Sequence, residues 1–218
     1  MTAHFVQLLD ELQRRSLRMA SLVEDIVHEA CEAAFDANDK LARRVIKRDN
    51  EVDTEEVEIE AETIRLMALY QPVGSDLRLL CTLLKVNNVL ERIADCAVNI
   101  AERAEHLDRG SVNEHGETIR QMATLCRRML RSANQAYSTQ DAAGGRQVLS
   151  EDDAVDALYG QLIRSLVADA SKQPDTMATH LDILSIAKNL ERIADHATNI
   201  AEDVVFLATG EIVRHREP

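Results

Sequence analysis

Two sets of oxygen-bearing side chains recur in the same order along the chain: Glu91, Asp95, Asn99 and Glu102, then Glu191, Asp195, Asn199 and Glu202. Donors of this kind suit a hard cation, Mg²⁺, Ca²⁺, Mn²⁺ or iron, better than a metal that seeks thiolates. At about 100° per residue the four members of each set fall within roughly 80° of one another on a helix. Acids at i and i+4 repel, costing an isolated helix roughly 0.2–0.5 kcal/mol per pair, so a face that only meets solvent gains by alternating its signs. These faces do not alternate. A second acidic pair precedes each set, Asp49 with Asp53 and Asp152 with Asp156, again at i and i+4. A solvated helix face remains the plain alternative for both rows.

The rows belong to a longer repeat. Residues 90–102 return as residues 190–202 with eleven of thirteen positions unchanged, while Cys96 gives way to His196 and Val98 to Thr198. The acids persist where their neighbours change, so the rows are constrained rather than incidental. Opposite them, Ile93, Ala97, Ile100, Ala104 and Leu107 form an apolar stripe, repeated by Ile193, Ala197, Ile200, Val204 and Leu207, and these stripes are core. Asn99 and Asn199 are equally suited to ligating a cation, capping buried backbone or pairing helices. His196 reads as a satisfied surface or interface histidine rather than a ligand.

The elements that must carry these rows are helices. Spacing predicts a first helix over residues 4–35 on Phe5, Leu8, Leu12, Met19, Leu22, Ile26 and Ala30. A second, capped by Asp39, runs to residue 70 on Leu41, Val45, Val52, Ile59 and Leu66, and Gln71-Pro72-Val73-Gly74 stops it. A third, capped by Ser75, spans residues 76–107 and ends near Gly110. The pattern restarts with helices over 113–137 and from the turn at 138–141 to 171, a break at Pro174, and a last helix to 207. Asp39 then answers to Asp141, and small gaps fall at Gly144-Gly145 and between Pro174 and Asp175. The predicted fold is all-α: two tandem antiparallel three-helix bundles related by internal duplication, residues 1–109 and 110–218. If the middle and last helices of a bundle lie side by side, its four acids meet.

Of 218 residues only 3% are aromatic and 29% are charged, the composition of long helices. A net charge of −13 repels nucleic acid and disfavours anionic partners. Cys31, Cys81, Cys96 and Cys126 stand far apart, so they read as reduced, buried small hydrophobes of a cytoplasmic protein. No secretory segment and no apolar run of about 18 residues is present, so no membrane insertion is expected. Catalytic signatures are missing: a di-iron bundle needs Glu-x-x-His, and there is no glycine-rich phosphate cradle, nucleophile elbow or Cys/His pair. A non-enzyme is expected. The alternative is a metal-storage or metal-dependent hydrolytic helical bundle.

Leu-Glu-Arg-Ile-Ala-Asp-x-Ala-x-Asn-Ile-Ala-Glu in two copies, each preceded by Asp-x-x-x-Asp, with Gln71-Pro72-Val73-Gly74-Ser75-Asp76-Leu77-Arg78 before the first long helix, resembles the PhoU family over essentially the whole chain. The resemblance implies a cytoplasmic negative regulator of phosphate uptake, often a homodimer. Its implied partners are the ATPase subunit of the phosphate ABC transporter and a sensor histidine kinase, with starvation signalling held off when phosphate is plentiful. It also implies surface metal, including multinuclear iron, on Asp49/Asp53, Glu91/Asp95, Asp152/Asp156 and Glu191/Asp195, with the cation open among iron, manganese, magnesium, zinc and calcium. Ala94 and Ala194 stand where the family commonly has Gly, a change that favours helix by about 1 kcal/mol. Arg78 is answered by Ala178, so any role it has belongs to one half.

Overall fold

A computed structural model describes residues 3–107, 115–170, 172 and 174–213. Among these there is no strand. The chain runs α1 (Ala3–Asp36), α2 (Asp39–Tyr70), α3 (Ser75–Ala104), α4 (Gly116–Thr139), α5 (Ala142–Leu149), α6 (Asp152–Ala170), a 3₁₀ turn (Pro174–Thr176) and α7 (Met177–Thr209). This is the tandem three-helix plan, with the second copy's middle helix split into α5 and α6. The expected end near Gly110, the start at Asn113 and the division between residues 109 and 110 lie outside the described residues. Among the described residues no helix is long and apolar enough to cross a membrane.

The apolar stripes account for the packing. Val45, Val52, Ile59 and Leu66, seven residues apart, are fully buried along α2, a period that keeps one seam facing a neighbouring helix. Each such side chain contributes roughly 1.5–3 kcal/mol by leaving water. Both long stripes are buried, from Ile93 to Leu107 and from Ile193 to Leu207. On α1 the stripe lies slightly to one side of the expected one: Leu9 and Val23 are buried, while Leu8 and Leu22 are only partly so. One contiguous core spans both halves.

Helix ends differ from expectation in three places. Asn38, not Asp39, caps α2, accepting a bond from the Leu41 N–H at 3.2 Å. Its partner in the second copy is Asp141, which caps α5 through the Ala143 N–H at 2.9 Å. Gly74 rather than Ser75 precedes α3, with φ of 62°, a left-handed conformation in which a side chain would be strained. Gly144 and Gly145 lie inside α5, and the interruption comes later, at Ser150 and Glu151. There the Ser150 hydroxyl donates to the Gln147 carbonyl at 2.7 Å and competes with the helical ladder. Lys47, its counterpart in the first copy, carries no such hydroxyl.

α3 and α7 form the centre, and their contact is the most extensive between any two described elements. Lys85 bonds Asp203 at 3.1 Å and Arg103 faces Asp182 at 3.7 Å. At the far end, the Arg78 guanidinium packs on Gly210, where an added Cβ would lie 2.6 Å from its nitrogen. The two helices are therefore antiparallel, in a register that sets residues near 94 against residues near 194. Each helix meets its own repeat at that level, where Ala94 and Ala194 are fully buried.

Candidate metal centre

α2 lies along α3 because its seven-residue stripe packs there, and the Asn87 side chain fixes the register by donating to the Glu56 carbonyl at 2.9 Å. That register brings Asp49 and Asp53 of α2 to Glu91 and Asp95 of α3. Burial pushes the Asp49 carboxyl up to about 6, reinforced by Asp53 and Asp95. Glu91 is likewise raised, by burial, then Asp95, Glu56 and Asp53. Glu56 therefore belongs to the cluster; its place seven residues after Asp49 was the signal in the sequence.

The second half repeats the arrangement between α6 and α7. Oxygens of Asp156, Glu191 and Asp195 lie within 4.8 Å of one another, the single such group of three or more among the described residues. Asp195 is pushed up to about 6 by burial, then by Glu191, Asp152 and Asp156. Asp152 is raised by burial, then by Asp156, Asp153 and Glu191. One oxygen of Asp152 is buried without a hydrogen-bond partner.

The two clusters are not equal. Lys188 donates to both oxygens of Glu191, at 2.7 and 2.6 Å, and its ammonium lies 5.5 Å from the centre of the Tyr159 ring. Asn88 and Glu56 occupy the corresponding positions in the first half. The second cluster thus holds its own counter-ion, whereas the first gathers an extra acid. Asp152 also stands in the first turn of α6, where unpaired backbone N–H groups favour negative charge. Asp49 is inside the long α2.

Asn99, Glu102, Asn199 and Glu202 lie one to two turns beyond Asp95 and Asp195. Asn99 and Glu102 are exposed, Asn199 and Glu202 half-buried. Neither Glu102 nor Glu202 is among the charges that raise the clustered carboxyls. Between the clusters, at the α3/α7 seam, lie Cys96 and His196. Burial raises the Cys96 thiol to about 11, and burial followed by Arg192 and Arg92 lowers His196 to about 4. Both His196 ring nitrogens are buried without a partner. Of the other thiols, Cys31 and Cys126 are in the core as expected, whereas Cys81 is only half-buried.

Two adjoining nests of carboxylates, in which burial and neighbouring acids raise Asp49, Glu91, Asp152 and Asp195, fit a hard cation that would relieve the repulsion. The fit rests on Asp49, Asp53, Glu91 and Asp95 in one nest and on Asp152, Asp156, Glu191 and Asp195 in the other.

A model of the PhoU domain matches residues 16–104 and again 119–204. The two matches start 103 residues apart and end 100 apart, the same shifts that relate Asp49 to Asp152 and Glu91 to Glu191. The phosphate-specific transport system accessory protein PhoU homologue of Aquifex aeolicus is 38% identical over 208 residues, covering 95% of this chain and 94% of its own. That of Zymomonas mobilis is 35% identical over 217 residues, covering 98% and 92%. The crystal structure of PhoU from Pseudomonas aeruginosa superposes with a TM-score of 0.89 at 33% identity, over 95% of this chain and all of that one. PhoU from Streptococcus pneumoniae, the phosphate transport system regulatory protein, gives 0.89 at 29%, over 96% and 99%. With the duplicated motif, the six-helix plan and these full-length matches in agreement, the chain belongs to the PhoU family.

Proposed function

We propose that the chain is an accessory protein of a phosphate-specific transport system that regulates by binding rather than by catalysis. In this reading it sits in the cytoplasm, contacts the ATPase subunit of a phosphate ABC transporter and a sensor histidine kinase, and holds phosphate-starvation signalling off when phosphate is plentiful. The observation that carries the reading is the match to the named accessory proteins along nearly the whole of both chains.

The acid nests would hold metal through Asp49, Asp53, Glu91 and Asp95, and through Asp152, Asp156, Glu191 and Asp195. A bound cation supplies positive charge on an otherwise acidic face. The test is capture of the assembled transporter and of the kinase by the purified chain, with and without chelator, alongside an anionic-vesicle control; sedimentation reads self-association in the same samples. Capture of neither partner under any metal condition refutes the adaptor. Metal uptake that survives Asp95→Asn with Asp195→Asn refutes the ligand assignment. The paired acids also favour a second reading, a metal-storage or metal-dependent hydrolytic protein, which turnover on phosphate esters separates from the first.

A further inference from the structure

Each acid nest is one end of a longer strip. Along α2 the helical line through Asp49, Asp53 and Glu56 continues past the exposed Glu60 to Ile64, which is 52% exposed. Along α3 the line through Glu91 and Asp95 runs back to Cys81 and Leu77, the latter 40% exposed. Because α2 and α3 are antiparallel, with Asn87 bonded to Glu56, these apolar residues lie at one level beyond the acids. The second half repeats the device with Val167, Met177 and Leu181, exposed by 62%, 46% and 57%. These edge a groove of about 270 Å³. The shifts from Ile64 to Val167 and from Leu77 to Met177 are the ones that align the acids, so apolar and acidic ends are repeated as a unit.

The α3/α7 register fixes how the two strips face each other. With residues near 94 opposite residues near 194, the acidic ends lie close to the pseudo-two-fold axis. Cys81 and Leu181 lie 13 residues from it in opposite directions, about 20 Å each way at 1.5 Å per residue. The surface therefore shows two equivalent apolar patches about 40 Å apart with an acidic centre.

We propose that the chain docks across a two-fold symmetric protein dimer, one apolar patch on each partner subunit, with basic groups near the partner's axis set against the acidic centre. The proposal rests on the reading above that the chain acts by binding a protein. Exposed apolar patches rimmed by charge mark interfaces, and two-fold dimers are the commonest symmetric assemblies. In the metal-free chain charge decides the occupant, and binding is therefore read in chelator. A second copy of this chain docked face to face would set acidic centre against acidic centre, and an anionic bilayer is repelled by the same charge.

The test uses the full chain with the detergent-solubilised transporter and, separately, the whole kinase, reading complex mass by mass photometry and affinity by interferometry. Three variants are compared: Ile64→Ser with Leu77→Ser, Met177→Ser with Leu181→Ser, and all four together. Expected are one chain per partner dimer, a loss of about tenfold or more from either pair, similar in the two, and no binding by the fourfold variant. Circular dichroism checks helicity; should serine lower it, Leu77→Gln and Met177→Gln repeat the comparison. One neutral pair, two chains per partner dimer, or both pairs neutral while the wild type binds overturns the proposal. So does loss of self-association or of vesicle binding in place of partner binding. A wild type that captures neither protein refutes the adaptor reading, and this proposal with it.

Discussion

Lys188→Asn makes the second acid nest resemble the first, which has Asn88 at that position. In the wild type a cation approaching Asp156, Glu191 and Asp195 meets an ammonium already bonded to both Glu191 oxygens. With the lysine side chain 48% exposed, a water-like dielectric applies. A divalent ion about 6 Å from the ammonium is then disfavoured by roughly 1.4 kcal/mol, or about tenfold in affinity. Displacing the lysine instead sacrifices the ion pair, a cost of up to about 1 kcal/mol at such exposure. Since the cheaper route sets the penalty, calorimetric titration with Mn²⁺, in an Asp95→Asn background that disables the first nest, is expected to show binding up to about fivefold tighter for Lys188→Asn. Asn88→Lys should weaken the first nest in the reciprocal Asp195→Asn background. Unchanged or weaker binding on removing Lys188 would refute the counter-ion argument.

Asp49 and Asp195, raised to about 6 from an ordinary value of about 3.9, make the folded state bind protons more tightly than the unfolded chain. Their contribution to the stability of metal-free protein therefore falls as pH rises from about 4 through 6. The stability gained by Asp49→Asn with Asp195→Asn should grow across that window in urea titrations with chelator, and a pH-independent difference counts against it. Tyr137→Phe strips the buried Ser16 hydroxyl of its partner at 3.0 Å, with an expected loss of about 1–3 kcal/mol in denaturant unfolding. Gly145→Ala would place a Cβ 2.9 Å from the Ala201 carbonyl oxygen and 3.2 Å from a Val205 methyl. Overpacking of about 1–3 kcal/mol then outweighs a helix-propensity gain of about 1 kcal/mol, and a lower thermal midpoint is expected.

Much of this was legible in the chain because helical periodicity and duplication are strong signals. The stripes at Ile93 and Ile193, the stop at Gln71-Pro72 and the convergence of Asp49 and Asp53 on Glu91 and Asp95 follow from spacing once the helices lie side by side. Caps were less legible. Asn38 and Asp39 are both good N-caps, and which one is used depends on where α1 releases the chain. The split between α5 and α6 was not expected, because residues from the turn at 138–141 to 171 read as one helix with only a small repeat gap at Gly144-Gly145. Both glycines are in fact helical, and Gly145 lets α5 approach α7, while the interruption falls at Ser150 and Glu151. Lys188 escaped notice because opposing charges three residues apart look like ordinary surface pairing until the neighbouring helix brings further acids to the same place.

The seam in which α3 packs against α7 at the level of residues 94 and 194 has the geometry that two half-length chains would make across a true two-fold axis. A homodimer whose subunits became joined end to end would leave this record. In such a dimer every substitution is felt twice, and a lysine in one acid nest is a lysine in both. Joining the copies lifts that restriction, so Lys188, Ser150 and His196 can stand in one half while Asn88, Lys47 and Cys96 stand in the other. The covalent link thus allows two differently charged acid nests on a frame that, in its unfused form, would have had two identical ones.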